Sequence, residues 1–187
     1  MRVISGRFKG VALTTPKSGT RPTTDRTKEA IFSHLDSWRV LDDARVLDLF
    51  AGTGALGIEA LSRGARELVA VESSAPAAAL IAQTLTALKH NRSWEHGMSA
   101  RVVKARAEKY AASASAVEPF DMVFIDPPYA FETNDCNQLL ADLASRELTS
   151  SNTVIMLERS TRSEAPGPRK LGNHRSARLW RNRRLLH

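Results

Sequence analysis

Val46-Leu47-Asp48-Leu49-Phe50-Ala51-Gly52-Thr53-Gly54-Ala55-Leu56-Gly57 decides the fold. A short apolar run breaks into a glycine turn, and the turn opens a helical segment from Ala55 to Arg63 that Gly64 stops. Gly52, Gly54 and Gly57 fit a G-x-G-x-x-G pattern placed between strand and helix. The next strand-like run, Leu68-Val69-Ala70-Val71-Glu72, ends in a carboxylate twenty positions after Gly52. That spacing suits a ligand carrying an adenosine ribose. The glycines let it approach the backbone, and the acid takes the ribose hydroxyls. Two ligand classes share the pattern, dinucleotides and S-adenosylmethionine. Asp48, four residues before Gly52, would repel a pyrophosphate and attract the ammonium of a methionine moiety. As a bland alternative, Asp48 is a cap on the turn.

Working outward, strands and helices alternate. Ala75 to Lys89 reads as a helix, Arg101 to Val103 as a strand, Ala107 to Ala116 as a helix and Phe120 to Ile125 as a strand. Cys136 to Glu147 follows as a helix and Thr153 to Glu158 as a strand, with loop from Ser160 to Asn173 and one further strand in the last dozen residues. Such alternation predicts an α/β fold: a doubly wound, mostly parallel sheet with helices on both faces. Residues 2–15 read as a β-hairpin around Gly6 and Gly10. A helix is then expected to start at the N-cap oxygens of Thr23, Thr24 and Asp25. Its buried face is expected on Thr27, Ala30, Ile31, His34, Leu35 and Trp38, with His34 a packing residue. The expected organisation is a hairpin-and-loop extension over residues 1–24 and one α/β domain over 25–187.

Charge is sorted along the 187 residues. Residues 1–28 carry net +6, residues 29–158 net −7 and residues 159–187 net +8, for +7 in all. Basic ends around an acidic middle suit a polyanion such as nucleic acid. Arg2, Arg7 and Lys9 are candidates to meet it. The single Cys136 excludes an internal disulfide and a cysteine-built zinc site, and no metal is expected. No apolar run is long enough to span a membrane, and no signal region opens the chain. A cytoplasmic protein and a monomer are the expectations.

Asp126-Pro127-Pro128-Tyr129 follows the buried run Met122-Val123-Phe124-Ile125. Two prolines cannot continue a sheet, so the chain leaves the strand as a stiff extended loop. The loop sets a carboxylate, proline carbonyls and an aromatic face side by side. An aryl amine is a poor nucleophile because its lone pair is conjugated into the ring. Hydrogen bonds from its N–H groups to Asp126 and the Pro127 carbonyl would favour a pyramidal nitrogen. Tyr129 would stack on the base, with Phe131 a second stacking candidate. A base in a helix would have to be flipped out to reach this loop.

These motifs resemble class I S-adenosylmethionine-dependent methyltransferases of the (Asn/Asp)-Pro-Pro-Tyr amino-methylating group. A narrower resemblance rests on Arg2-Val3-Ile4-Ser5-Gly6, Gly10, Pro16, Arg21-Pro22-Thr23-Thr24-Asp25-Arg26 and Ile31-Phe32. These are similar to the start of the RsmD family, and the likeness runs through residues 1–158. It implies transfer of methyl from S-adenosylmethionine to the N2 amine of a guanine in small-subunit (16S) ribosomal RNA. The assembled small ribosomal subunit is the expected partner. Implied cofactor contacts are Asp48, Phe50, Ala51, Gly52, Thr53, Gly54, Glu72, Ala107 and Asp126. Implied catalytic residues are Asp126, Pro127 and Tyr129. Substrate contacts are expected at Arg2, Arg7, Lys9, Arg21, Pro22, Thr23, Pro128, Tyr129 and Phe131. The chain departs from the family at Arg106, where relatives carry an aspartate, and at Leu171-Gly172-Asn173-His174. Alternatives from the residues alone are a DNA adenine-N6 or cytosine-N4 methyltransferase, a protein glutamine methyltransferase, an NAD oxidoreductase and a non-catalytic RNA-binding module.

Overall fold

A computed structural model describes residues 1–14, 25–160 and 178–184, with side chains for 1–14 and 25–158. In chain order the elements are α1 (Asp25–Ser37), β1 (Arg45–Asp48), α2 (Ala55–Ser62), β2 (Glu67–Glu72), α3 (Ala75–Lys89) and β3 (Ser99–Lys104). They continue with α4 (Ala107–Ser113), β4 (Met122–Ile125), α5 (Thr133–Ser145), β5 (Val154–Ser160) and β6 (Arg178–Arg184). The strands form one parallel sheet in the order β3-β2-β1-β4-β5-β6.

Successive strand residues point to opposite faces, and the sequence fills both with apolar side chains. Val46, Leu68, Ala70, Met122, Phe124, Val154 and Met156 pack under α1, α2 and α3. Leu47, Val69, Val71, Val123, Ile125, Ile155 and Leu157 pack under α4 and α5. The order reverses between β1 and β4, where Asp48 lies opposite Phe124. A crevice therefore opens at the carboxyl ends of these two strands, where the glycine turn and the Asp126 loop both emerge.

All eight residues of α2 are buried. Gly57 makes this possible on the sheet side, since a Cβ there would stand 2.5 Å from Leu68 Cδ1. On its other side α2 is covered by the N-terminal segment. The expected hairpin is reduced to a single bridge, Arg2 to Ala12, with bonds from Val3 N to Val11 O (2.9 Å) and Leu13 N to Met1 O (3.0 Å). Its turn residues are used for docking instead. Gly6, at φ +83°, passes so close to the Ser62 carbonyl that any Cβ would overlap it. Arg7 N and Phe8 N donate to Ser62 O (2.8 Å) and Ser62 Oγ (2.9 Å). The segment thus runs alongside α2, from Met1 beside Thr53 to Arg7 beside Ser62.

The buried face of α1 is Lys28, Ile31, Phe32 and Leu35. This corrects the expected face: Ala30 and His34 are exposed and Trp38 is 50% exposed. The phase is turned by Lys28, which was not part of the expected face. Lys28 and Glu59 are both 0% exposed, with Nζ 3.3 Å from Oε2 and donating to the Arg2 carbonyl at 2.8 Å. Glu59 also accepts from Ile4 N (2.9 Å), Ser5 N (3.0 Å) and Arg63 Nε (2.9 Å). Arg63 reaches Asp36 and Glu29 of α1 and lies over the Phe32 ring. One buried carboxylate on α2 thereby ties the N-terminal segment and α1 to the domain. The expected N-cap residues Thr23 and Thr24 lie outside the described residues.

Candidate active site

The turn after β1 is built on two left-handed glycines, Gly52 at φ +55° and Gly54 at φ +76°. A Cβ on Gly52 would meet only the Phe50 carbonyl oxygen, at 4.0 Å, so the turn presents bare backbone to the crevice. Ala51 N donates to Val71 O (3.0 Å), which fastens the turn to the end of β2. Glu72 finishes the arrangement. Its Oε2 accepts from Gly52 N (2.8 Å) and its Oε1 from Ser74 N (2.7 Å). Both oxygens hold backbone and keep lone pairs for further donors.

Asp48 is 1% exposed, and its Oδ2 accepts from Gly57 N at 3.0 Å. The capping role weighed in the sequence is therefore present. Burial pushes its carboxyl up to about 7, against the pull of the Gly57 N–H and helped by repulsion from Asp126 and Glu72. Three carboxylates thus share the crevice. They disfavour a pyrophosphate, and Asp48 already occupies an N–H at the start of α2 where one would bind. A cation would relieve their mutual repulsion. Among the described residues, no group of three or more His, Cys, Asp or Glu is placed to hold a metal ion.

The loop after β4 sits two residues beyond the Asp48–Phe124 pair. Asp126 and Pro127 are half-buried, Pro128 is exposed and Tyr129 is 73% exposed. Phe131 N donates to Pro128 O at 2.9 Å, closing a turn. Phe131 itself is 9% exposed and meets the Phe50 ring edge-on at 5.2 Å. It supports the loop from below and offers no face to a base, which removes it as a stacking candidate. Phe50 is half-buried and Ala51 buried, both next to the turn. Thr53 Oγ1 lies 4.0 Å from Met1 Sδ. Ala107 is buried as the first residue of α4, and Ala105 N donates to Glu72 O (3.1 Å).

The basic candidates separate. Arg2 is exposed on the N-terminal segment over α2. Arg7 is committed to Glu95 at 2.9 Å and to Met98 Sδ at 3.1 Å. That contact lies at the Ser62 end of α2, the end away from the crevice, and exposed Lys9 lies two residues further along the same turn. Arg7 and Lys9 thus lie at the Ser62 end of α2 and not beside the Asp126 loop. Arg21, Pro22 and Thr23 lie outside the described residues. The Lys28–Glu59–Arg63 cluster was missed. Its signal was one acid inside the otherwise apolar Ala55-Leu56-Gly57-Ile58-Glu59-Ala60-Leu61.

Known proteins share this architecture. The family model "Conserved hypothetical protein 95" matches residues 1–182. "Ribosomal RNA small subunit methyltransferase D" of Escherichia coli K12 is 39% identical over 130 residues, 69% of this chain and 60% of that protein's length. The protein of the same name from Haemophilus influenzae is 32% identical over 159 residues, 84% of this chain and 78% of its own. The solved structure of Escherichia coli yhhF has a TM-score of 0.73 at 32% identity, covering 89% of this chain and 85% of that one.

Proposed function

We propose, from the premise that this chain belongs to the Conserved hypothetical protein 95 or RsmD family, that it methylates small-subunit ribosomal RNA. The donor is S-adenosylmethionine and the acceptor the exocyclic N2 amine of a guanine in 16S rRNA. The observation that carries this reading is the three-acid crevice of Asp48, Glu72 and Asp126 beside a proline-locked loop. Its donor set fits a cationic adenosine ligand and disfavours a phosphorylated one.

When bound, S-adenosylmethionine supplies an electrophilic methyl group on a sulfonium. Glu72 would hold the ribose hydroxyls while keeping the Gly52 and Ser74 N–H groups. Asp48 would face the cationic methionine end. Phe50, Ala51, Gly52, Thr53, Gly54 and Ala107 would line the adenosine side. Asp126 and the Pro127 carbonyl would accept from the two N–H groups of the guanine amine, leaving its lone pair available. The amine nitrogen would become acidic once it carries the methyl group, and Asp126 would take its proton. Pro127 and Pro128 add no competing N–H. Tyr129, 73% exposed, would stack on the flipped base. Arg21, Pro22 and Thr23 belong to the proposed substrate side. We read residues 1–24 as an extension on a methyltransferase domain of 25–187, acting as a cytoplasmic monomer on the assembled subunit.

The test is transfer of labelled methyl from S-adenosylmethionine to unmodified small subunits, naked rRNA and DNA. Label at guanine N2 in the subunits is expected. Label on DNA alone would overturn the assignment.

A further inference from the structure

We infer that the two outer edges of the sheet grip RNA phosphates on opposite sides of the nucleotide to be methylated. One edge is β3 with Lys104 and Arg106; the other is the arginine-rich β6. The inference rests on the rRNA reading above and adds where the polyanion lies.

The strand register sets the levels. Lys104 pairs with Glu72, so this lysine stands in the same row as the acid that holds the glycine turn. Arg106 follows two residues later and is 67% exposed. At the other edge Leu157 pairs with Arg181 and Glu158 with Asn182, while Ile125 pairs with Leu157. Asn182 is therefore level with Asp126, and Arg183 and Arg184 stand one and two positions beyond it. Four of the seven β6 residues are arginine. Both edges are thus basic at the end of the sheet where the Asp126 loop emerges.

Distances follow from strand spacing. From β4 the chain order gives three spacings to β3 and two to β6, or about 14 Å and about 10 Å at roughly 4.8 Å each. Between the edges, up to the level of Asp126, the charged strand-end groups are acids: Asp48, Glu72, Asp126 and the buried Glu158 of β5, with Arg159 one position beyond beside Arg183. A phosphate is repelled at the centre and attracted at either side. A strand crossing the row then leaves its base, and not its backbone, over the crevice. Arg106 holds Glu108 at 2.9 Å, but an exposed surface pair is weak and can exchange for a phosphate. Arg7 does not compete for this role, because it is paired with Glu95 at the far end of α2.

The experiment uses the full-length protein, S-adenosylmethionine and small-subunit rRNA. Two charge reversals are compared, K104E/R106E and R183E/R184E, with K104Q/R106Q and R183Q/R184Q as milder versions should a reversal disturb folding. Each pair should weaken rRNA binding and lower the slope of log affinity against log salt by about 1.4, two contacts at about 0.7 each. S-adenosylmethionine affinity should change far less than rRNA affinity. A photocrosslinker placed at 104 and another at 184 should mark rRNA on opposite sides of the methylated guanine. Unchanged salt slopes in both pairs, or crosslinks on one side only, would overturn the inference. Methylation of DNA alone by the wild type would instead sink the underlying functional reading.

Discussion

Replacing Asp48 with asparagine should make the ligand-free protein more stable, and increasingly so as pH rises. Asp48 is buried, and its carboxyl is pushed up from 3.8 to about 7 in the folded state. An acid with a raised folded pKa binds a proton more tightly when folded. It therefore carries no penalty below pH 3.8, a growing penalty between 3.8 and 7, and its full penalty above 7. The shift corresponds to at most about 4 kcal/mol. Between pH 5 and pH 8 the penalty grows by about 2–3 kcal/mol. Asp48→Asn removes the charge and retains an oxygen for the Gly57 N–H. The assay is urea unfolding of both proteins at pH 5, 6, 7 and 8 without cofactor. The difference in unfolding free energy should rise with pH by about that amount. The slope decides, because the new amide adds a constant offset and titrating groups that do not interact with Asp48 cancel. With S-adenosylmethionine present the order should invert, since the variant loses the charge proposed to attract the methionine end. Parallel pH curves would refute the reasoning and show that Asp48 is ionised at no cost in the folded protein.

Asp126→Ala should lower kcat by orders of magnitude with little change in S-adenosylmethionine affinity, measured by single-turnover transfer and calorimetry. Equal loss of cofactor binding would give Asp126 another role. Tyr129→Ala should weaken rRNA binding by about 1–3 kcal/mol without destabilising the fold, since the ring is exposed; thermal melts and rRNA titration check both halves. Glu59→Ala should cost about 3–5 kcal/mol in urea unfolding, because it strands the buried Lys28 and the Arg63 fork. Gly57→Ala should cost about 1–3 kcal/mol by overpacking against Leu68.

The strand–turn–helix of residues 46–63 and the loop after β4 were legible because each combines an apolar run with residues that only one backbone path accepts. α3 was legible to the residue, from Ala75 to Lys89. The α1 face was not, because its phase is set by Lys28, whose burial depends on Glu59 thirty-one positions away. Periodicity counts a lysine as solvent-facing and cannot see a partner on another helix. Phe131 reads as a base platform in sequence, yet Phe50 covers it. The positions of Arg7 and Lys9 were not legible for a related reason. A hairpin pattern says that two arms meet but not which end of α2 its tip will reach. Gly6 and Ser62 decide that, through a close approach that no local signal encodes.

On the proposed function, the opposed charges of cofactor and substrate would explain why acids and bases are sorted across this sheet. A sulfonium donor is cationic and an RNA strand is polyanionic, so a single uniform field cannot favour both. The fold resolves this with position. Carboxylates sit in the crevice where β1, β2 and β4 end, half-buried or buried, so their field is strongest within the cavity. Lysine and arginine sit one strand or more to either side, exposed on β3 and carried by β6. Glu72 and Lys104 are paired neighbours, so the sign of charge reverses over a single strand spacing of about 4.8 Å. Solvent screening weakens exposed charges beyond roughly 8–10 Å, so the edge cations act most on groups beside them and less on Asp126, two or three strands away. A basic residue moved from the edge into the crevice should therefore cost cofactor affinity even where it gains RNA affinity. Net charge alone, +7, would predict the opposite.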